Sequence, residues 1–277
     1  MNKRVLFLTT FLFGYGLGFG QQVLPDPITE IPLPYVDVIA FDTRDQLFAS
    51  TTSGDIYLFD TEGIQQNLFS PPRQGRLDQI EATWTANIFS FSSDLQEYRL
   101  FDRFLNPLSD KGFLLNDVTL AKAATLGNNN ILWVWDESDL SLKILDYRRN
   151  LVLQNQPLNL ILDDSEELQV VEIREFKNRL FMNIPKEGIY LFDNQGNLIQ
   201  KIKLKIDQRL CLYKEYIFWV QGEDLMVYSM ATKAIFKLAK LPNPEIQYLQ
   251  MSQNRLALVQ KDKIILYPLP FWIGNMR

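Results

Sequence analysis

Apolar residues in this chain fall in short runs rich in Ile, Leu, Val, Phe and Tyr, and each run breaks at Asp, Asn, Gly or Ser. Runs of that kind predict β-strands, and no long stretch carries the 3.6-residue apolar period of a helix. One run returns six times: Ile56-Tyr57-Leu58-Phe59-Asp60, Tyr98-Arg99-Leu100-Phe101-Asp102, Leu142-Lys143-Ile144-Leu145-Asp146, Ile189-Tyr190-Leu191-Phe192-Asp193, Leu225-Met226-Val227-Tyr228-Ser229 and Ile264-Ile265-Leu266-Tyr267-Pro268. The final residues of successive copies lie 42, 44, 47, 36 and 39 positions apart. About 8 to 12 residues before each copy stands another strand-like run, for example Leu47-Phe48-Ala49, Leu132-Trp133-Val134 and Ile217-Phe218-Trp219. After each of the first five comes a turn and a further run, as in Asp60-Thr61-Glu62-Gly63-Ile64 and Asp193-Asn194-Gln195-Gly196-Asn197-Leu198. Asp at these offsets caps backbone N–H groups and Gly accepts a positive φ, as hairpin turns require.

With one further strand opening each unit, the repeat is four antiparallel strands in about 40 residues. Four-strand units that close in a ring are propeller blades, and the lack of a helix sets the repeat apart from helical arrays. The predicted fold is all-β: a six-bladed β-propeller, six being the number of third strands. In this periodicity residues 28 to 270 resemble the six-bladed propeller class of secreted bacterial proteins, NHL-like and TolB-like rings among them.

Ring closure is specified too. The sixth unit runs out after its third strand, at Pro268 and Pro270, while Ile28-Thr29-Glu30-Ile31-Pro32-Leu33 precedes the first unit with nowhere else to pair. The N-terminal strand is expected to complete blade six from outside, where Pro32 is tolerated at an unpaired edge. The rival for that slot is Phe271-Trp272-Ile273.

Ahead of the repeat, Lys3 and Arg4 lead into an uncharged stretch from Val5 to Gly20. A basic start, an apolar stretch and small residues at Gly18 and Gly20 predict a secretory signal peptide over residues 1–20, cut after Gly20. The alternative is a membrane anchor, suggested by the Gly14/Gly18 and Gly16/Gly20 spacings, but the stretch is shorter than the roughly 20 residues a span needs. The expected organisation is a leader over residues 1–20 and one propeller domain over 21–277. The mature chain then has no transmembrane span and resides in the periplasm or outside the cell.

Composition narrows the chemistry. The chain has no His and one Cys. Ser-His-Asp and Cys-His catalysis and His-ligated metals are therefore excluded. Lys and Arg number 28 against 33 Asp and Glu. Losing Lys3 and Arg4 with the leader makes the balance more acidic, and with no basic block a nucleic-acid partner is excluded. Cys211, set between Leu210 and Leu212, reads as a buried thiol.

Aligning the units exposes an acid at the start of every predicted innermost strand: Asp37, Asp78, Asp117, Glu167, Asp207 and Glu245. They stand 23, 24, 29, 26, 22 and 23 residues before the third-strand ends. Innermost strands line a propeller's axis, so these acids are expected to gather at one mouth. There they either build turns by accepting backbone N–H bonds or form a negative ring that docks a basic partner or a cationic ligand. A hard cation such as Ca²⁺ also suits such oxygen ligands, and no other cofactor is implied. The widest interval, 50 residues from Asp117 to Glu167, marks an insertion over Gln156 to Glu167 whose Asp163 and Asp164 sit beside the same mouth. A second connecting segment is placed at Ser109 to Asn116. Trp84, Trp133, Trp135 and Trp219 read as wedge packing between blades in preference to a sugar platform, and Trp133 and Trp135 share one strand face.

No phosphate loop, paired Cys motif or nucleophile elbow occurs. The leading reading is a non-catalytic binding or scaffold module contacting a protein partner or ligand through the acidic mouth and its loops. Two alternatives stand beside it: a Ca²⁺-assisted hydrolase or lactonase on a six-bladed ring, and a polysaccharide-binding module.

Overall fold

In the computed structural model, residues 22–82, 87–113, 117–128, 130–162, 168–242 and 245–276 are described. They form six four-stranded antiparallel sheets arranged as blades. From the axis outward, blade one is β2 (Val36–Phe41), β3 (Leu47–Thr51), β4 (Ile56–Phe59) and β5 (Gln65–Phe69). Blade two is β6 (Gln79–Glu81), β7 (Asn87–Ser92), β8 (Glu97–Asp102) and β9 (Pro107–Gly112). Blade three is β10 (Ala121–Leu126), β11 (Ile131–Asp136), β12 (Ser141–Asp146) and β13 (Leu151–Pro157). Blade four is β14 (Glu172–Phe176), β15 (Arg179–Ile184), β16 (Gly188–Phe192) and β17 (Leu198–Ile202). Blade five is β18 (Cys211–Tyr213), β19 (Tyr216–Gln221), β20 (Asp224–Ser229) and β21 (Ile235–Lys240). Blade six is β22 (Tyr248–Met251), β23 (Arg255–Val259) and β24 (Lys263–Pro268), closed from outside by β1 (Thr29–Pro32).

The fold is the predicted six-bladed β-propeller, and the recurrent third-strand run is β4, β8, β12, β16, β20 and β24 in turn. The ring is sealed as expected, with Ile31 opposite Ile264 and Thr29 opposite Leu266. The rival segment instead forms a short helix, α1 (Phe271–Gly274), whose Ile273 is buried in the core shared by blades five and six. One expectation is corrected: Ser109–Gly112 is the last four residues of β9, not a connection. Its Asp110 and Lys111 hid the strand because an outermost strand keeps a solvated side.

The strands read as unbroken apolar runs because they are buried on both faces. Side chains alternate across a strand, and here each face meets a different neighbouring blade. Leu180, Met182 and Ile184 of β15 join Trp133 and Trp135 of blade three. Phe181, between them, joins Leu212, Ile217 and Trp219 of blade five. Six such wedges, one per blade junction, make up the core. The two tryptophans share one wedge and one packing layer, as expected.

Whereas Asp146 of blade three accepts the N–H groups of Arg148 and Arg149, two and three residues on, the Asp that ends the third-strand run in blades one, two and four has a common task. Its Oδ1 accepts the backbone N–H groups two and four residues on: Glu62 and Ile64 at Asp60, Phe104 and Asn106 at Asp102, Gln195 and Asn197 at Asp193, all within 2.8–3.0 Å. The chain then needs a positive φ, supplied by Gly63 (81°) and Gly196 (78°), and by Leu105 (66°) where no glycine is available.

Candidate functional site

The innermost strands all enter the ring at one mouth and leave at the other, so each mouth collects residues from several blades. At the strand-start mouth lies a cavity of about 940 Å³. Arg76 and Asp78 come from the approach to β6, Lys122 from β10, Glu172 from β14, Lys186 from the β15–β16 turn, and Asp207 and Arg209 from the approach to β18. Glu137, just after β11, completes a charged lining of four bases and four acids.

The predicted acids take different places around this opening. Asp78 and Asp207 line the cavity together. Asp78 accepts the Ser93 N–H at 2.6 Å, whereas Asp207 is exposed. Asp37 lies in β2, its carboxylate held in a two-pronged pair by Arg76 at 2.5 and 2.8 Å. Asp117, exposed and with φ 55°, contributes through its backbone, its carbonyl accepting Lys143 Nζ at 2.8 Å. Glu245 lies three residues before β22, and neither it nor Asp117 lines the cavity. Asp163, Asp164 and Glu167 fall outside the described residues, as do Trp84 and the residues read as the leader. Among the described residues no group of three Asp, Glu, Cys or His comes together to hold a metal.

Sequence reasoning missed the basic partners. Arg209 reaches from blade five to the Asp78 carbonyl of blade two, on the opposite side of the ring. Deeper along the axis, Arg174 of β14 pairs with Glu172 at 2.7 Å and donates to the Leu210 carbonyl (2.9 Å) and to Gln250 Oε1 of blade six (3.2 Å). Glu81 of β6 accepts Gln79 Nε2 (2.7 Å), Thr125 Oγ1 (2.6 Å) and the Leu126 N–H (3.0 Å). Glu175 accepts Trp133 Nε1 at 2.7 Å. Hydrogen bonds therefore bridge the axis from blade to blade, holding the ring together through polar groups that would be costly to bury unpaired. The available signal was a cluster of polar and charged residues around one isoleucine in a short inner strand, as in Gln79-Ile80-Glu81 and Glu172-Ile173-Arg174-Glu175.

Burial raises the Glu81 carboxyl to about 7, against the pull of its hydrogen bonds and of Arg174. Burial likewise raises Glu175. Of the tryptophans weighed as a sugar platform, Trp133, Trp135 and Trp219 are buried.

Neither a protein-family profile nor a curated protein sequence matches the chain. Solved propellers do. The chain is similar to the WD40 domain of Pan2 from Neurospora crassa, with a TM-score of 0.59 and 12% identity over 86% of this chain and 81% of that one. It is also similar to the β-propeller domain of Cps50 (Swd1) from Myceliophteria thermophila, with a TM-score of 0.61 and 10% identity over 88% of this chain and 99% of that one. At such identities the likeness is one of fold. Among the described residues no helix is long and apolar enough to cross a membrane.

Proposed function

We propose that this protein is an exported binding scaffold, a secreted six-bladed ring of the NHL-like or TolB-like kind, that holds a protein partner at its strand-start mouth. The observation that carries the reading is the cavity of about 940 Å³ at that mouth, to which four blades contribute charges of both signs. Mixed charge at a wide opening favours a partner of complementary pattern and steers its approach, which is how charged rims act in protein recognition. Asp78, Glu137, Glu172 and Asp207 are the acids of that cavity; Asp37, Asp117 and Glu245, and outside the described residues Asp163, Asp164 and Glu167, are proposed from their sequence positions alone to extend the partner contact. Export is supported by the leader-like layout of residues 1–20.

Pull-down from an envelope extract with crosslinking at position 169, an exposed position on the cavity wall, tests the docking. Asp207→Lys combined with Asp163→Lys and Asp164→Lys is expected to reduce the crosslinked partner at least tenfold without changing the melting temperature; an undiminished partner band would refute the site. Mass spectrometry of the fractionated protein is expected to find Gln21 as the first residue. An intact N-terminus would refute export by cleavage.

A further inference from the structure

The strand-end mouth, where β2, β6, β14, β18 and β22 leave the axis, holds a separate cavity of about 380 Å³. That volume lies in the range of small-molecule sites, roughly 300 to 1,000 Å³. Its wall is largely apolar, with Phe41, Ile80, Phe176, Leu212, Tyr213 and Met251 contributed by five blades. Glu81, Arg174, Glu175 and Gln250 supply its polar part.

The charges facing this cavity already have partners. Asp42 Oδ1 accepts the Arg44 and Gln46 N–H groups at 2.8 Å each. Lys177 pairs with Glu215 at 2.8 Å. Lys214 donates to the carbonyls of Gly274 and Met276, the end of the chain's short helix, at 2.5 and 3.0 Å. Arg174 is held by Glu172, Leu210 and Gln250. A charged ligand entering here would lose its hydration and find no free counter-charge, which disfavours it in an apolar site. What remains unsatisfied is a donor: Arg174 Nε is buried and has no hydrogen-bond partner.

We infer that this cavity binds a small uncharged organic molecule, mainly apolar and carrying a hydrogen-bond acceptor such as a carbonyl oxygen. The carboxyls of Glu81 and Glu175, pushed by burial toward their neutral form, fit the same ligand, since a protonated carboxyl also donates. The site lies at the opposite end of the axis from the proposed partner surface and does not depend on it.

The probe is N-phenyl-1-naphthylamine, an uncharged dye that brightens in apolar sites, titrated against the full-length protein at pH 7 and then displaced by 2-octanone, octanoate or octylammonium. Saturable one-to-one binding is expected, with 2-octanone displacing the dye at a concentration at least tenfold below that of either ion. Thr43→Trp and Gln253→Trp, at exposed positions on the cavity rim, should each weaken dye binding about tenfold while keeping the wild-type melting temperature. Lack of saturation, equal binding in both rim variants, or an ion that displaces as well as the ketone would overturn the assignment. Because the two rim variants alter solvent-facing positions, they retain the test even if a deeper substitution such as Arg174→Gln prevents folding.

Discussion

Lys143→Met probes how blade three holds its innermost strand. Asp136, whose side chain is 0% exposed, accepts the N–H groups of Thr119 and Leu120 at 2.8 and 3.1 Å, that of Ser138 at 3.0 Å, and Lys143 Nζ at 2.7 Å. Lys143 also reaches Asp139 at 3.0 Å and the Asp117 carbonyl, so one ammonium ties the approach to β10 to the second and third strands. Removing one member of a buried pair leaves an uncompensated charge and costs about 3 to 5 kcal/mol. With a urea slope of about 3 kcal/mol per molar, the unfolding midpoint should fall by roughly 1 to 1.7 M. The pH dependence sharpens the test. Burial alone would raise the Asp136 carboxyl, but the hydrogen bonds from Lys143, Ser138, Thr119 and Leu120 outweigh it and bring it down to about 2. A carboxyl depressed in the fold contributes stability above its unfolded value near 3.8, and loses it as pH falls through 2. That contribution is about 1 to 2 kcal/mol once screening near the ring surface is allowed for. Without Lys143 the lowering weakens, so the deficit between variant and wild type should shrink from pH 7 to pH 3. Urea titrations by tryptophan fluorescence at both pH values measure this. A deficit independent of pH, or an Asp136→Asn/Lys143→Met double variant additive within about 0.5 kcal/mol, would refute the coupling.

Ile31→Ala, in the strand that closes blade six, should cost about 2 to 4 kcal/mol and make residues 22–34 the first site of limited proteolysis; first cleavage elsewhere would contradict the closure. Phe181→Ala, at a wedge between blades four and five, should cost about 3 to 5 kcal/mol by calorimetry or urea, and a loss below about 1 kcal/mol would show that the wedge collapses around the cavity. Glu81 is protonated in the fold and ionised in the unfolded chain between pH 4.5 and 7, so its share of stability falls as pH rises through that window, by at most about 3 kcal/mol. The wild-type-minus-Glu81→Gln difference should carry that slope, and a difference that grows with pH would refute it. Cys211 is buried with its thiol pushed up to about 12, so a thiol reagent at pH 8 should leave the native protein unmodified and label it at the rate of unfolding in urea; rapid native labelling would disprove its burial.

The third-strand run was readable because Ile189, Leu191 and Phe192 are apolar whichever blade they face, and Asp193 had to cap the turn that followed. The strand β9 was harder to read, since Asp110 and Lys111 on an outer edge look like a loop. Asp37, Asp78 and Asp207 were found by their repeat position. The basic groups that meet them were not, because Arg76 lies 39 residues from Asp37 and Arg209 131 residues from Asp78.

Local pattern thus set the strand count, the turn positions, the blade number and the closure by the N-terminal strand, since each depends on alternation and turn chemistry within some 40 residues of chain or on an unpaired strand at each end. Which charges meet across the axis, and which of two mouths is a charged bowl and which an apolar cavity, came only with the closed ring. Opposite blades become neighbours at the axis only when all six are in place, and a guanidinium such as that of Arg209 finds its carbonyl by geometry that no stretch of sequence encodes alone.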